Sequence, residues 1–223
     1  MLMLQAQGDD RRLWRALRRT WLPTMVPRRL LLLRGPRRAP RVALTFDDGP
    51  DWLTEQYLDV LDKLGLRASF FLIGRQAAAQ PDLVRAYLRH GHEVFGHGYS
   101  HRRFPTLTEA ELQDELARTD ALLPPMPLRL VRPPRGALDA RTLFRCAHFG
   151  YTLALWSLDS LDHRLTDADA LLARLRHRPP EGGEILLLHE GQTWTLSALP
   201  GIAALLRAQG LVAVPLSELF DHG

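Results

Sequence analysis

The sequence predicts a distorted α/β barrel of seven or eight parallel strands, and three observations lead to it. From Arg41 onward, short apolar runs alternate with segments of helical pattern. Gly65, Gly91, Gly150 and Gly210 stand where those helices should stop. Residues able to do chemistry follow the ends of successive strands, which is how the working face of such a barrel is assembled. A chain of 223 residues is long enough for one large domain of this kind.

The first strand is expected over Val42–Phe46, ended by Asp47-Asp48-Gly49-Pro50, because Gly-Pro forces the chain out of an extended run. Further strands are expected over 68–73, 93–96, 128–132, 152–156, 185–188 and 211–214. Helices are expected over 54–64, 81–90, 108–122, 139–149, 166–176 and 197–209. Thr108 with Glu111, and Thr166 with Asp169, mark two of the helix starts. Strands alternating with helices imply parallel pairing and right-handed crossovers.

Composition narrows the class. With 46% apolar and 24% charged residues the chain reads as an ordinary globular protein, not a disordered one. Cys146 is the one cysteine, which excludes an intrachain disulfide and a cysteine-rich zinc site. Any metal must be held by His, Asp or Glu. The net charge of +4 is unevenly placed: residues 1–40 hold ten arginines against Asp9 and Asp10, and the remainder is acidic. The division expected is therefore a basic N-terminal segment over 1–40, its residues 22–40 a Pro-rich linker, and one large domain over 41–223.

Within residues 11–21 a helix would gather Leu13, Trp14, Leu17 and Trp21 on one side and five arginines on the other. That pattern suits a helix lying in a membrane interface, or one docked on its own domain with a solvated charged face. The sequence shows no transmembrane span, since Leu30-Leu31-Leu32-Leu33 is far short of the ~20 residues needed. A secretory signal of the usual form is not recognised either. Nucleic acid is not expected as a partner, because the positive charge is confined to the tail and no base-reading motif accompanies it.

The chemistry-bearing groups follow in order. Asp47 and Asp48 close the first strand. Gly96-His97-Gly98-Tyr99-Ser100-His101 closes the third, and two histidines with one carboxylate supply three ligands while leaving a position open, the make-up of a catalytic zinc site. Arg132-Pro133-Pro134-Arg135-Gly136 follows the fourth, where an arginine can hold a neighbouring aspartate ionised. Trp156-Ser157-Leu158-Asp159-Ser160-Leu161-Asp162-His163 follows the fifth. His189 leaves the sixth strand directly after Leu187-Leu188, with Asp162 available to tune its proton. Each group alone is more often structural than functional; their succession at strand ends is hard to explain by core packing.

The ordered set TFDDGP, HGYSH, RPPRG, WSLDSLDH and LLLH resembles the five motifs of the polysaccharide deacetylases, the NodB-homology domains of carbohydrate esterase family 4. The match runs from Arg41 to about Phe220. The resemblance implies a distorted (β/α) barrel of the NodB-homology type holding one divalent metal ion, zinc or a substitute such as cobalt. It implies hydrolysis of an N-acyl group, usually acetyl, from an amino sugar of a poly- or oligosaccharide. By position, Asp48, His97 and His101 match the metal ligands and Asp47 the general base. Arg132 matches the residue that positions the base, and His189 the general acid oriented by Asp162. Arg135, through its backbone N–H, His163 and Leu187 fall on the substrate and oxyanion side.

Three residues depart from the family pattern: Gly98 where Thr or Ser is usual, Arg135 in place of an aromatic, and His163 in place of Trp. Arg135 and His163 would suit an anionic group such as a phosphate. The amphipathic arginine and tryptophan tail, with no signal recognised, favours a second substrate reading, a lipid-linked amino sugar presented at a membrane; the resemblance, which includes deformylases of such sugars, implies formyl as an alternative acyl group. A non-catalytic glycan-binding relative is the reading of another class; it should have lost a ligand or the base, and all five of Asp47, Asp48, His97, His101 and His189 are present.

Overall fold

The computed structural model describes residues 26–220. Its spine is β2 (Arg41–Gly49), flanked by β3 (Ser69–Leu72) on one side and β8 (Ile185–His189) on the other. Beyond β3 follow β4 (Glu93–Gly96), β5 (Leu130–Val131), β6 (Thr152–Ala154) and β1 (Leu31–Leu32); beyond β8 lies β7 (Leu158–Asp159). Every pairing is parallel, and β9 (Val212–Ala213) joins the beginning of β2. The sheet curls into a barrel-like trough between its two end strands, β1 and β7.

Seven α-helices accompany the described strands: α1 (Thr54–Leu64), α2 (Gly74–Ala79), α3 (Pro81–Arg89), α4 (Glu109–Asp120), α5 (Ala140–His148), α6 (Ala168–His177) and α7 (Thr193–Ala208). Alternation along the strands sorts the core into two layers. Leu44, Phe46, Phe70, Leu72, Leu186 and Leu188 face outward and pack under helices, with the Phe46 and Phe70 rings stacked at 5.0 Å. Ala43, Phe71, Phe95 and Ile185 face inward, where Val214, Leu216 and Leu219 of the C-terminal segment fill the trough. Each such buried Leu or Phe contributes about 1.5–3 kcal/mol, so β2, apolar on both faces over Val42–Leu44, is anchored on both sides.

Several boundaries follow their local signals. Thr108 and Glu111 form the expected capping box on α4, and Gly65 ends α1 with φ 66°. Others do not. Helix α6 is capped by Asp167, whose side chain accepts from Ala170 N at 2.7 Å, one residue after the expected Thr166. Helix α7 begins at Thr193, four residues early, and carries Pro200 inside. Strand β7 and helix α2 are additions to the expected order.

One boundary needs correction. Residues 22–40 were expected as linker, yet Leu31 and Leu32 form β1, in register with Leu153 and Ala154. Leu31, Leu32 and Leu33 are 4%, 5% and 5% exposed, so this apolar run is an edge strand of the domain. The prolines around it end the strand without detaching it. The expected amphipathic helix at 11–21 lies outside the described residues. Among the described residues no helix is long and apolar enough to cross a membrane.

Candidate active site

All the candidate groups lie at the carboxyl ends of strands, on one mouth of the trough. Two adjacent residues of a strand normally face opposite ways. Here Asp47 pairs with Phe71 and Gly49 with Leu72, leaving Asp48 as an extra residue in a bulge. Asp48 has φ 75°, and the bulge turns its carboxylate to the same side as that of Asp47. The sheet thereby presents both acids to one site.

Asp48 Oδ1 lies 3.3 Å from His101 Nε2 and 3.6 Å from His97 Nε2. His97 Nδ1 donates to the carbonyl of Arg132 at 2.8 Å, which leaves its Nε2 lone pair facing the cluster. Burial and the neighbouring His97 hold His101 below the usual imidazole range, outweighing the pull of Asp48, so it too offers a lone pair. Asp48 Oδ1 is buried with no hydrogen-bond partner. An orphaned carboxylate oxygen facing two imidazole lone pairs is costly unless a cation sits between them. The donor set of two nitrogens and one oxygen fits a divalent metal such as zinc.

Asp47 is held from the other side. Its Oδ1 accepts from Arg132 Nη1 at 2.6 Å, while Oδ2 faces the cluster, 3.6 Å from His97 Nε2. Burial would raise the Asp47 carboxyl, but Arg132, with His97 and His189, brings it below its usual value. Arg132 is fully buried and donates also to Thr45 Oγ1, Ala154 O and Leu155 O, with its guanidinium 3.9 Å from the centre of the Phe71 ring. A guanidinium so held fixes the carboxylate in angle as well as charge.

Across the mouth, His189 Nδ1 bonds Asp162 Oδ1 at 2.7 Å. Asp162 Oδ1 also accepts from His163 N, and Oδ2 accepts from His189 N and Thr195 Oγ1. With four donors on a fully buried carboxylate, Asp162 acts as an orienting group, although Asp162, His163 and His189 also cluster closely enough to hold an ion. Burial would lower the His189 imidazole, but Asp162, Asp47 and Asp48 raise it to about 9. His189 is therefore protonated at neutral pH, with Nε2–H as the group left to donate.

Arg135 is exposed, with φ 60°, in a single turn over Pro134–Gly136; its charge helps depress His101. His163 lies at the rim, its ring 5.1 Å from that of His189. Arg164 Nε donates to His163 Nε2, and burial with the His189 charge keeps this imidazole below its usual range. Leu187 is 2% exposed and shares the inward face with His189 one step deeper, forming the floor there.

Sequence reasoning passed over Glu115, which braces the histidine loop: its Oε2 accepts from Tyr99 N at 2.7 Å and Ser100 N at 2.8 Å, and its Oε1 bonds Ser100 Oγ. Glu115 supplies the support missing with a glycine at 98, where φ is 75°. The signal was present, a carboxylate on the same helix face as Leu112, Leu116 and Thr119. Trp194 donates through Nε1 to Asp162 O at 3.0 Å, which adds a backbone contact to the orienting aspartate. Glu190, 4% exposed behind His189, was also missed. Burial and nearby Asp51 raise its carboxyl to about 8 despite bonds from Tyr87 and Thr54.

Comparison with known proteins adds the following. The family model described as polysaccharide deacetylase matches residues 34–154. A peptidoglycan-N-acetylglucosamine deacetylase of Bacillus cereus is 29% identical over 98% of this chain and 80% of its own. A chitooligosaccharide deacetylase of a Bradyrhizobium species is 32% identical, over 80% of this chain and 90% of that protein. The solved structure of a peptidoglycan N-acetylglucosamine deacetylase with 4-naphthalen-1-yl-N-oxidanyl-benzamide superposes with a TM-score of 0.81 at 28% identity, covering 87% of this chain and 94% of that one.

Proposed function

The chain belongs to the polysaccharide deacetylase family, and from that premise we propose that it is a metal-dependent hydrolase removing N-acetyl groups from amino sugars of a poly- or oligosaccharide. The observation that carries the metal dependence is the convergence of Asp48, His97 and His101 around a buried, unpartnered carboxylate oxygen. A divalent ion held by those three residues would supply Lewis acidity toward the acyl carbonyl and toward water.

The protein's own groups divide the remaining work. Asp47, ionised and clamped through Oδ1, has Oδ2 free to take a proton from the attacking water. The backbone N–H of Arg135, in a left-handed turn with φ 60°, would donate to the developing oxyanion. His189, protonated at neutral pH and fixed by Asp162, gives its proton to the leaving amine. Leu187 offers an apolar floor against which a methyl group rests.

A second reading, a lipid-linked amino sugar, is favoured by Arg135, an exposed cation beside His101. The test is acyl release by the zinc-loaded full chain, with and without chelator, quantifying acetate and formate from chitooligosaccharides, peptidoglycan fragments and lipid-linked amino sugars. Chelator-sensitive acetate from the first two supports the leading reading. Release from the lipid-linked substrate alone replaces it with the second. No release from any of them, with metal bound, removes both.

A further inference from the structure

We infer that Glu190 is a positioning residue for the metal ligand Asp48, acting as a neutral latch that locks the Asp48-Gly49-Pro50 turn to the strand carrying His189; this rests on the proposed metal site. His189 faces into the mouth, so the next side chain faces away, beneath the turn that leaves β2. There the Glu190 carboxyl fills the space against Gly49, where any Cβ would run into it. Its own N–H donates to Asp47 O at 3.0 Å. The same residue thus touches the backbone before and after Asp48.

Three oxygens close a ring behind that turn. Thr54 Oγ1 lies 2.9 Å from Glu190 Oε1, Tyr87 OH lies 2.7 Å from Glu190 Oε2, and Thr54 Oγ1 and Tyr87 OH are 3.2 Å apart. Thr54 Oγ1 also accepts from Asp51 N at 2.8 Å, so the ring reaches the chain just past Pro50. Three contacts need three protons. The two hydroxyls supply one each, and a protonated Glu190 supplies the third. With Glu190 ionised, one contact would join two oxygens with no hydrogen between them. The neutral acid therefore completes the ring, and it does so 4% exposed, where a charged carboxylate would be costly.

The consequence lies at Asp48. Its φ of 75° is held only if the surrounding structure over-determines it, and the ring ties down the turn from α1, α3 and β8 together. Removing the latch lets the turn relax and displaces the Asp48 carboxylate from His97 and His101.

Glu190→Gln separates a latch from a charge. A glutamine amide offers an N–H donor and a carbonyl acceptor, as the neutral acid does. Cobalt(II) affinity of the full chain, from competition with a chromophoric chelator, is the readout, alongside the cobalt absorption spectrum and thermal unfolding of the apo protein. Glu190→Gln should bind cobalt as the wild type does, and Glu190→Ala should bind about 10–100-fold more weakly with an altered spectrum. Should Glu190→Ala fail to fold, Tyr87→Phe, which opens the ring at one corner, should weaken binding in the same direction by less. Wild-type affinity in Glu190→Ala, or in Tyr87→Phe where that variant stands in, overturns the inference, as does a Glu190→Gln variant as weak as Glu190→Ala. A wild type that binds no cobalt removes the metal site itself and this inference with it.

Discussion

Arg132 Nη1 lies 2.6 Å from Asp47 Oδ1, a charge pair in which the arginine is fully buried and the aspartate 3% exposed. An ion pair taken this far from water gains little net stability over an apolar pair of the same shape. Its effect is to fix one oxygen of Asp47 and leave the other facing the histidines. Removing one partner strands the other.

Arg132→Met should therefore lower stability by about 3–5 kcal/mol and abolish turnover together. Denaturant unfolding of the variant, followed by circular dichroism, measures the first. Unchanged stability would show that water reaches Asp47.

Asp47→Asn separates base from ligand. The variant should keep zinc, because Asp48, His97 and His101 are untouched, and should lose about 10²–10⁴-fold in kcat, the usual share of a general base. Zinc content by atomic absorption and kcat on one preparation test both halves.

Asp48→Ala and His101→Ala should each remove bound metal and turnover. His97→Ala should do the same while also freeing the Arg132 carbonyl, to which its Nδ1 donates at 2.8 Å. Equilibrium dialysis against zinc measures the loss. Full zinc occupancy in any of the three would move the site elsewhere.

The pH dependence follows from His189, raised to about 9 from an ordinary 6.5. A folded-state value above the unfolded one means that folding binds a proton in between. The stabilisation is complete below about 6.5 and is lost as pH rises through about 9. Activity that needs the protonated imidazole should fall over the same alkaline limb. Asp162→Asn removes the partner that raises it, so its alkaline limb should move to lower pH. A profile identical to the wild type would exclude His189 as the acid.

Leu32→Ala should cost about 2–5 kcal/mol, because its side chain is 5% exposed and packs in the inner layer. Chemical denaturation measures it. A cost near zero would restore residues 22–40 to the status of a linker.

Much of the site was legible because its residues sit beside strong local signals. Asp47 and Asp48 precede a Gly-Pro turn, His97 and His101 flank a glycine loop, and His189 ends an aliphatic run. Apolar periodicity and strand-end chemistry were enough to determine a parallel α/β barrel and which mouth carries the residues, since both depend on neighbours along the chain. Leu31–Leu32 could not be read this way: two residues carry no periodicity, and only pairing with Leu153 and Ala154 makes them a strand. The aim of Asp48 is likewise tertiary, because alternation along β2 points it away from Asp47 until a bulge against β3 turns it back. Glu115 and Glu190 contact residues 15 and 136 positions away, and the His163 imidazole is lowered by burial and by the charge of His189, 26 positions on. The sequence by itself determined which groups are present and the order in which strands deliver them. Their orientation, protonation and bracing are set by contacts between residues far apart in the chain, and those the tertiary structure decided.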